Sequence, residues 1–94
     1  MKPSEILQRA KDSLTEKTWG KGIATGRPNG TLCALEALEA IEKHTHYSGV
    51  CRLFLRSVVG GGGIANWNDV PERTLAEVHA AFDRAIAAAQ EAGQ

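Results

Sequence analysis

Two cysteines and three histidines are the side chains best suited to chemistry: Cys33, Cys51, His44, His46 and His79. Cys33, His44, His46 and Cys51 are zinc-type donors, because thiolate sulfur and imidazole nitrogen are the usual ligands of structural zinc. Their spacing matches no common zinc motif. If Cys33 and His44 sit at opposite ends of one helix, they are ~16 Å apart at ~1.5 Å rise per residue, whereas zinc ligands lie ~2–2.3 Å from the metal. A smaller site on His44, His46 and one other ligand stays open. The expectation is a chain with no metal centre and no cofactor.

Nucleophilic catalysis would need Cys33 or Cys51 beside His44, His46 or His79, so that the imidazole generates a thiolate. Both cysteines lie within apolar helical patterns, where a thiol is usually inert. A phosphate cradle could be read into Gly60–Gly63. It lacks the lysine and hydroxyl of a P-loop and any preceding strand, and no G-x-G-x-x-G fingerprint occurs. An interhelix turn is the expected role. No catalytic residue is assigned.

The most unusual stretch is Ile64-Ala65-Asn66-Trp67-Asn68-Asp69-Val70-Pro71-Glu72-Arg73-Thr74. An aromatic residue, two amides, a carboxylate and a guanidinium stand together before a helix. As a function this is a recognition loop, since Trp and Arg are common interface anchors. As structure, Trp67 packs into the core while Asn68 and Asp69 tie up loop N–H groups by Asx-turns. The structural account is favoured for the segment. The candidate partner-binding residues are Trp19, Tyr47, Arg52, Arg56, Trp67, Asn68, Asp69 and Arg73, of which Trp19, Tyr47, Trp67 and Arg73 are interface-type side chains in or beside expected loops.

The elements that must position them follow from periodicity. A first helix is predicted from about Pro3 to Glu16, with Ile6, Leu7, Ala10 and Leu14 on one face and Pro3 suited to its first turn. Gly20 and Gly22 end it. Residues Trp19 to Leu32 read as non-helical, with Gly26-Arg27-Pro28-Asn29-Gly30 a strong turn signal; a hairpin and an irregular loop are both open. A second helix is predicted from about Leu32 to His44, with Glu36, Glu39 and Glu42 along its polar side. Ser48 is a plausible N-cap for a third helix over about Gly49 to Val59. Val50, Leu53, Phe54 and Val58, widened by Cys51, Leu55 and Val59, make it apolar around its circumference, so it is predicted to be the most buried. Only Arg52 and Arg56 are obliged to face water, with ion pairs to the Glu36, Glu39, Glu42 face as the structural account. The last helix opens on the capping box Thr74-Leu75-Ala76-Glu77. It carries Leu75, Val78, Phe82, Ile86 and Ala89 on one stripe, and Gly93 marks its end.

These elements give a mainly α fold: a compact bundle of about four helices with a short hairpin or irregular loop after the first, in one domain over residues 1–94. The chain of 94 residues suits one such domain. Eleven basic and eleven acidic residues leave net charge 0, so the basic excess expected of a nucleic-acid binder is absent. An anionic membrane surface is a poor partner for the same reason. A helix-turn-helix reading fails because the third helix is too apolar for a DNA groove. No apolar leader follows Met1-Lys2-Pro3, and the longest apolar run, Ala85-Ile86-Ala87-Ala88-Ala89, is far short of the ~18 residues that span a bilayer. The sequon Asn29-Gly30-Thr31 then carries no meaning. Two cysteines are too few for a disulfide framework. A cytoplasmic location with reduced thiols is expected.

The pattern Trp19 with Gly22, then Cys33-Ala34-Leu35 and Ala37-Leu38, then Ile64-Ala65-x-Trp67-Asn68-Asp69-x-Pro71-x-Arg73-Thr74-x-x-Glu77-Val78 resembles an uncharacterised family of small proteins from actinobacteria and their phages. It spans most of the chain, with Trp67 to Thr74 its distinctive part. The chain departs from the pattern at Glu36, where the family prefers Gly. The family brings no activity to carry over. Small phage proteins without an enzymatic motif often act by binding one host protein. The resemblance therefore implies a phage-encoded, non-enzymatic protein that binds, and inhibits or redirects, a host bacterial protein, with cytotoxicity as one consequence. A homodimer is a further partner class. The alternative is a small enzyme or ligand binder using the Trp67–Arg73 loop. An interaction module should expose an apolar patch rimmed by polar residues, whereas an enzyme should show a concave pocket with convergent polar groups.

Overall fold

The computed structural model describes residues 1–22, 27–28, 30–47 and 49–94. Five helices follow in chain order: α1 Pro3–Ser13, α2 Ala34–Glu42, α3 Val50–Val59, α4 Ile64–Asn68 and α5 Leu75–Glu91. The mainly helical bundle is the expected one, with α4 as an added single turn. Helix α5 packs along α1 and α3, and α1 packs in turn on α2. The core lies between them: Ile6, Leu7, Ala10 and Leu14 meet Ala34, Ala37 and Leu38 of α2, Cys51 and Leu55 of α3, and Val78, Ala81, Phe82, Ala85 and Ala89 of α5. Phe82 is the largest fully buried side chain.

Local chemistry sets most helix ends. Thr74 and Glu77 make the expected reciprocal cap: Glu77 N–H donates to Thr74 Oγ1 at 3.2 Å and Thr74 N–H to Glu77 Oε1 at 2.9 Å. Helix α1 stops at Ser13, three residues before the predicted end. Leu14 turns extended (φ −96°, ψ 108°), which puts its side chain in the core at 1 % exposure. The Thr18 hydroxyl then closes the helix end by donating to Ser13 O at 2.7 Å and accepting from Thr15 N at 2.8 Å.

The segment after α1 is not a hairpin where it is described. Its two ends meet in one isolated parallel-type bridge between Trp19 and Leu32, with Gly20 N–H on Leu32 O (3.0 Å) and Leu32 N–H on Thr18 O (2.7 Å). Gly20 is required by close approach, since a Cβ there would sit 2.7 Å from Thr31 Oγ1. Part of the expected turn, at residues 26 and 29, lies outside the described residues, as does the expected N-cap Ser48. Helix α2 begins after Cys33 rather than at Leu32, and Cys33 occupies its N-cap position.

Two expectations fail, one on burial and one on local structure. Helix α3 is not the most buried element: only Cys51 and Leu55 are buried on it, and Leu53 is 66 % exposed. Leu53 lies about 200° around a helix from either of them, so a helix packed by the Cys51–Leu55 face must turn Leu53 outward. The start of the Trp67 segment is not a loop. Gly63 (φ 88°) turns the chain into α4, which closes one helical turn. Five residues are too few to carry a 3.6-residue pattern. Among the described residues, no helix is long and apolar enough to cross a membrane.

Candidate functional site

Helix α3 presents its outward stripe beside α2 and the start of α4, and a groove forms there. Leu35 of α2, Leu53 of α3 and Ile64 of α4 supply apolar walls, Arg52 and Arg56 supply two guanidinium groups, and Gly49 and Gly63 lie at its edges. Its volume is about 320 Å³ and it is open to solvent. A second shallow depression runs on from Leu53 and Arg56 to Ser57, Gly60 and Gly61. The Gly60–Gly63 run is thus the turn between α3 and α4, and glycines without side chains leave that end of the groove low.

Arg52 is held in place. Its Nε donates to Glu42 Oε1 at 3.1 Å and its Nη1 to Glu39 Oε2 at 3.3 Å. Its Nη2 lies toward Gly49, 4.0 Å from the place of a Cβ there. The expected pairing of Arg52 with the α2 glutamates is therefore present through Glu39 and Glu42. Glu36 instead binds Arg27 at 2.6 Å. The Arg56 side chain is exposed, with no hydrogen bond or ion pair among the described residues.

The Trp67 segment is built differently. Asn68 is 0 % exposed. Its Oδ1 accepts from Trp19 Nε1 at 2.7 Å and from the Ala34 N–H at 3.0 Å, while its Nδ2 donates to Gly20 O at 3.0 Å and Asp69 Oδ1 at 3.1 Å. Asp69 Oδ1 also accepts the Gly22 N–H at 2.9 Å. Arg73 lies over the Trp67 ring, 4.0 Å from its centroid, donates from Nε to Trp67 O at 2.9 Å and reaches Glu77 at 3.6 Å. Lys21 donates to Pro71 O at 2.7 Å and sits 5.4 Å from the Trp19 ring. The Asx-turn expectation is corrected: Asn68 and Asp69 bind N–H groups far away in sequence. One of these is the first free N–H of α2, which the Cys33 side chain does not cap.

A model of the family of unknown function DUF6197 matches residues 1–88. The chain belongs to that family. Comparisons with curated proteins and with solved structures give no match. In this DUF6197 member the match spans both the groove and the Asn68 cluster.

The candidate residues thus fall into two groups. Arg52 and Arg56 meet at the groove. Trp19, Trp67, Asn68, Asp69 and Arg73 gather at the Asn68 cluster, where Trp19 and Trp67 pack half-buried on the core and Trp67 has its expected packing role. Tyr47 joins neither and packs half-buried against the core. Sequence reasoning missed Leu53, Leu35 and Ile64 as groove walls. A helical wheel centred on Cys51 and Leu55 would have found Leu53, since it lies opposite both.

The thiols are unsuited to nucleophilic chemistry. Burial, then the charge of Glu42, pushes the Cys51 thiol up to about 12, and burial raises Cys33 as well. The Cys51 thiol donates to Pro3 O at 3.9 Å, and His79 Nε2 lies 2.7 Å from Leu14 O. Among the described residues no three His, Cys, Asp or Glu side chains come together to hold a metal ion.

Proposed function

We propose that this chain is a non-enzymatic interaction module that binds another protein through the α2–α3–α4 groove. The biological setting that the family resemblance implies goes with this reading: a phage-encoded protein acting on a bacterial host protein in the cytoplasm. The observation that carries it is Leu53, a large apolar side chain 66 % exposed between two arginines on a helix whose other face is packed. A groove with apolar walls and charged edges is one form in which a protein receives a partner's helix.

The alternative, a ligand or reaction site in the Trp67–Arg73 segment, is disfavoured. Asn68, Asp69 and Arg73 there already have internal partners, so a ligand held by them would have to break those bonds. The groove itself offers two cations of like sign and no acid–base pair.

A photocrosslinking amino acid placed at Leu53, in host cells, tests the proposal. A discrete crosslinked product at position 53, absent when the same amino acid replaces the exposed Gln8 of α1, is expected. Products equal at both positions, or none at 53, would refute it.

A further inference from the structure

The groove also carries information about what fills it. We propose that it takes an acidic amphipathic helix of the partner protein, with a large apolar side chain seated against Leu53 and carboxylates one turn apart on Arg52 and Arg56. This deepens the interaction reading and rests on it.

Three observations favour that occupant. First, the two arginines stand four residues apart on α3, about 6 Å along the axis, which is the spacing of i and i+4 carboxylates on a partner helix. Second, both keep donors free to point outward, and Arg56 keeps its whole charge unpaired among the described residues. Arg52 spends Nε and Nη1 on Glu42 and Glu39, which fixes the guanidinium while leaving Nη2 toward the groove edge at Gly49. A preordered arginine loses little side-chain freedom on binding. Third, the walls are apolar and the trough is open and shallow, as for a helix laid into a groove.

The other occupants fit less well. A second copy of this chain meeting the same face across a twofold axis would set Arg52 and Arg56 against their own equivalents, and like charges across an interface are costly. A small carboxylate amphiphile such as dodecanoate would find two cations but little enclosure, whereas small-molecule sites bury most of the ligand.

The test uses the full chain as bait for a random peptide library displayed on bacteria. Selected peptides should pair a large apolar residue with Asp or Glu three or four positions apart. Leu53→Asp should weaken them roughly tenfold or more, the loss of one buried leucine. Arg56→Glu should weaken them several-fold, and fresh selection on that variant should favour Lys or Arg at one of the acidic positions. Both positions are exposed, so melting temperatures should match the parent and exclude unfolding as the cause. Peptides with no charge preference, or binding indifferent to both substitutions, would overturn the proposal. So would dodecanoate shifting the amide resonances of the groove at lower concentration than the peptides do. If crosslinking at Leu53 still succeeds in cells while the library shows no acidic preference, the interaction reading stands and only the partner's chemistry falls.

Discussion

Replacing Asn68 tests the reasoning about the buried cluster most directly. The side chain is 0 % exposed and makes four hydrogen bonds, to Trp19 Nε1, Ala34 N, Gly20 O and Asp69 Oδ1. In Asn68→Ala the Ala34 N–H is orphaned in a buried position, and Trp19 Nε1 and Gly20 O lose partners where water has partial access. Each orphaned buried group costs about 1–3 kcal/mol, and the half-exposed ones less. The total is about 2–5 kcal/mol, against a net stability of about 5–14 kcal/mol for a chain this size. A loss of 3 kcal/mol corresponds to a fall in Tm of about 12–24 °C. Asn68→Asp sharpens the test. A carboxylate can still accept from Trp19 and Ala34 but cannot donate to Gly20 O, and it faces Asp69. Burial and that like charge favour its protonated form when folded, so its folded pKa rises above the unfolded value. Its contribution to stability is then present at low pH and lost as pH rises. Thermal melts followed by circular dichroism should show Asn68→Asp closest to the parent near pH 4 and furthest from it at pH 7. The exposed control Asn66→Ala, which gives up one bond to Gly62 O, should change stability by no more than about 1 kcal/mol. An Asn68→Ala Tm within about 2 °C of the parent would refute the account.

Other substitutions probe the rest of the frame. Glu42 is 1 % exposed and accepts from the Cys51 N–H at 3.1 Å and from Arg52. Glu42→Ala should cost about 1–3 kcal/mol in denaturant melts, through an orphaned N–H in the first turn of α3. Phe82→Ala should cost about 3–5 kcal/mol by cavity formation, again read from denaturant melts. Leu53→Asp should leave stability within about 0.5 kcal/mol of the parent, because nothing among the described residues covers it; a larger loss would mean that Leu53 is a core residue. Iodoacetamide at pH 8 should label neither Cys33 nor Cys51 in the native protein and both in urea, by mass spectrometry, since burial holds both thiols protonated. The carboxyl of Glu36, bonded by the Cys33 N–H and by Arg27, lies below its ordinary value of 4.5. Its stabilisation is therefore present above pH 4.5 and lost as pH falls through the folded value, and Glu36→Gln should flatten that part of the Tm–pH curve.

What the sequence alone determined is what depends on near neighbours in the chain. The Thr74–Glu77 cap involves residues three apart and forms wherever a helix starts there. The stripe Val78, Phe82, Ala89 is legible because polar residues alternate with it at helical spacing. The mainly α fold, and Arg52 and Arg56 as outward residues, follow from the same local regularity. Where local signals are equal, tertiary contacts decided. In helix α3, Arg52 and Arg56 mark the outward side, but the apolar residues on the rest of its circumference do not say which of them is packed. Packing on α5 chose Cys51 and Leu55, and Leu53 was left outside to form a groove. Asn68 gave an Asx-turn signal from its own neighbourhood, but its amide is satisfied by Trp19, Gly20 and Ala34, which are 49, 48 and 34 positions away. Helix α3 has no side-chain cap of its own, and on α2 Glu36 takes the Cys33 N–H but leaves the Ala34 N–H without a local partner. Asn68 and Glu42 supply the acceptors from other elements, and only the folded arrangement brings them within hydrogen-bond reach.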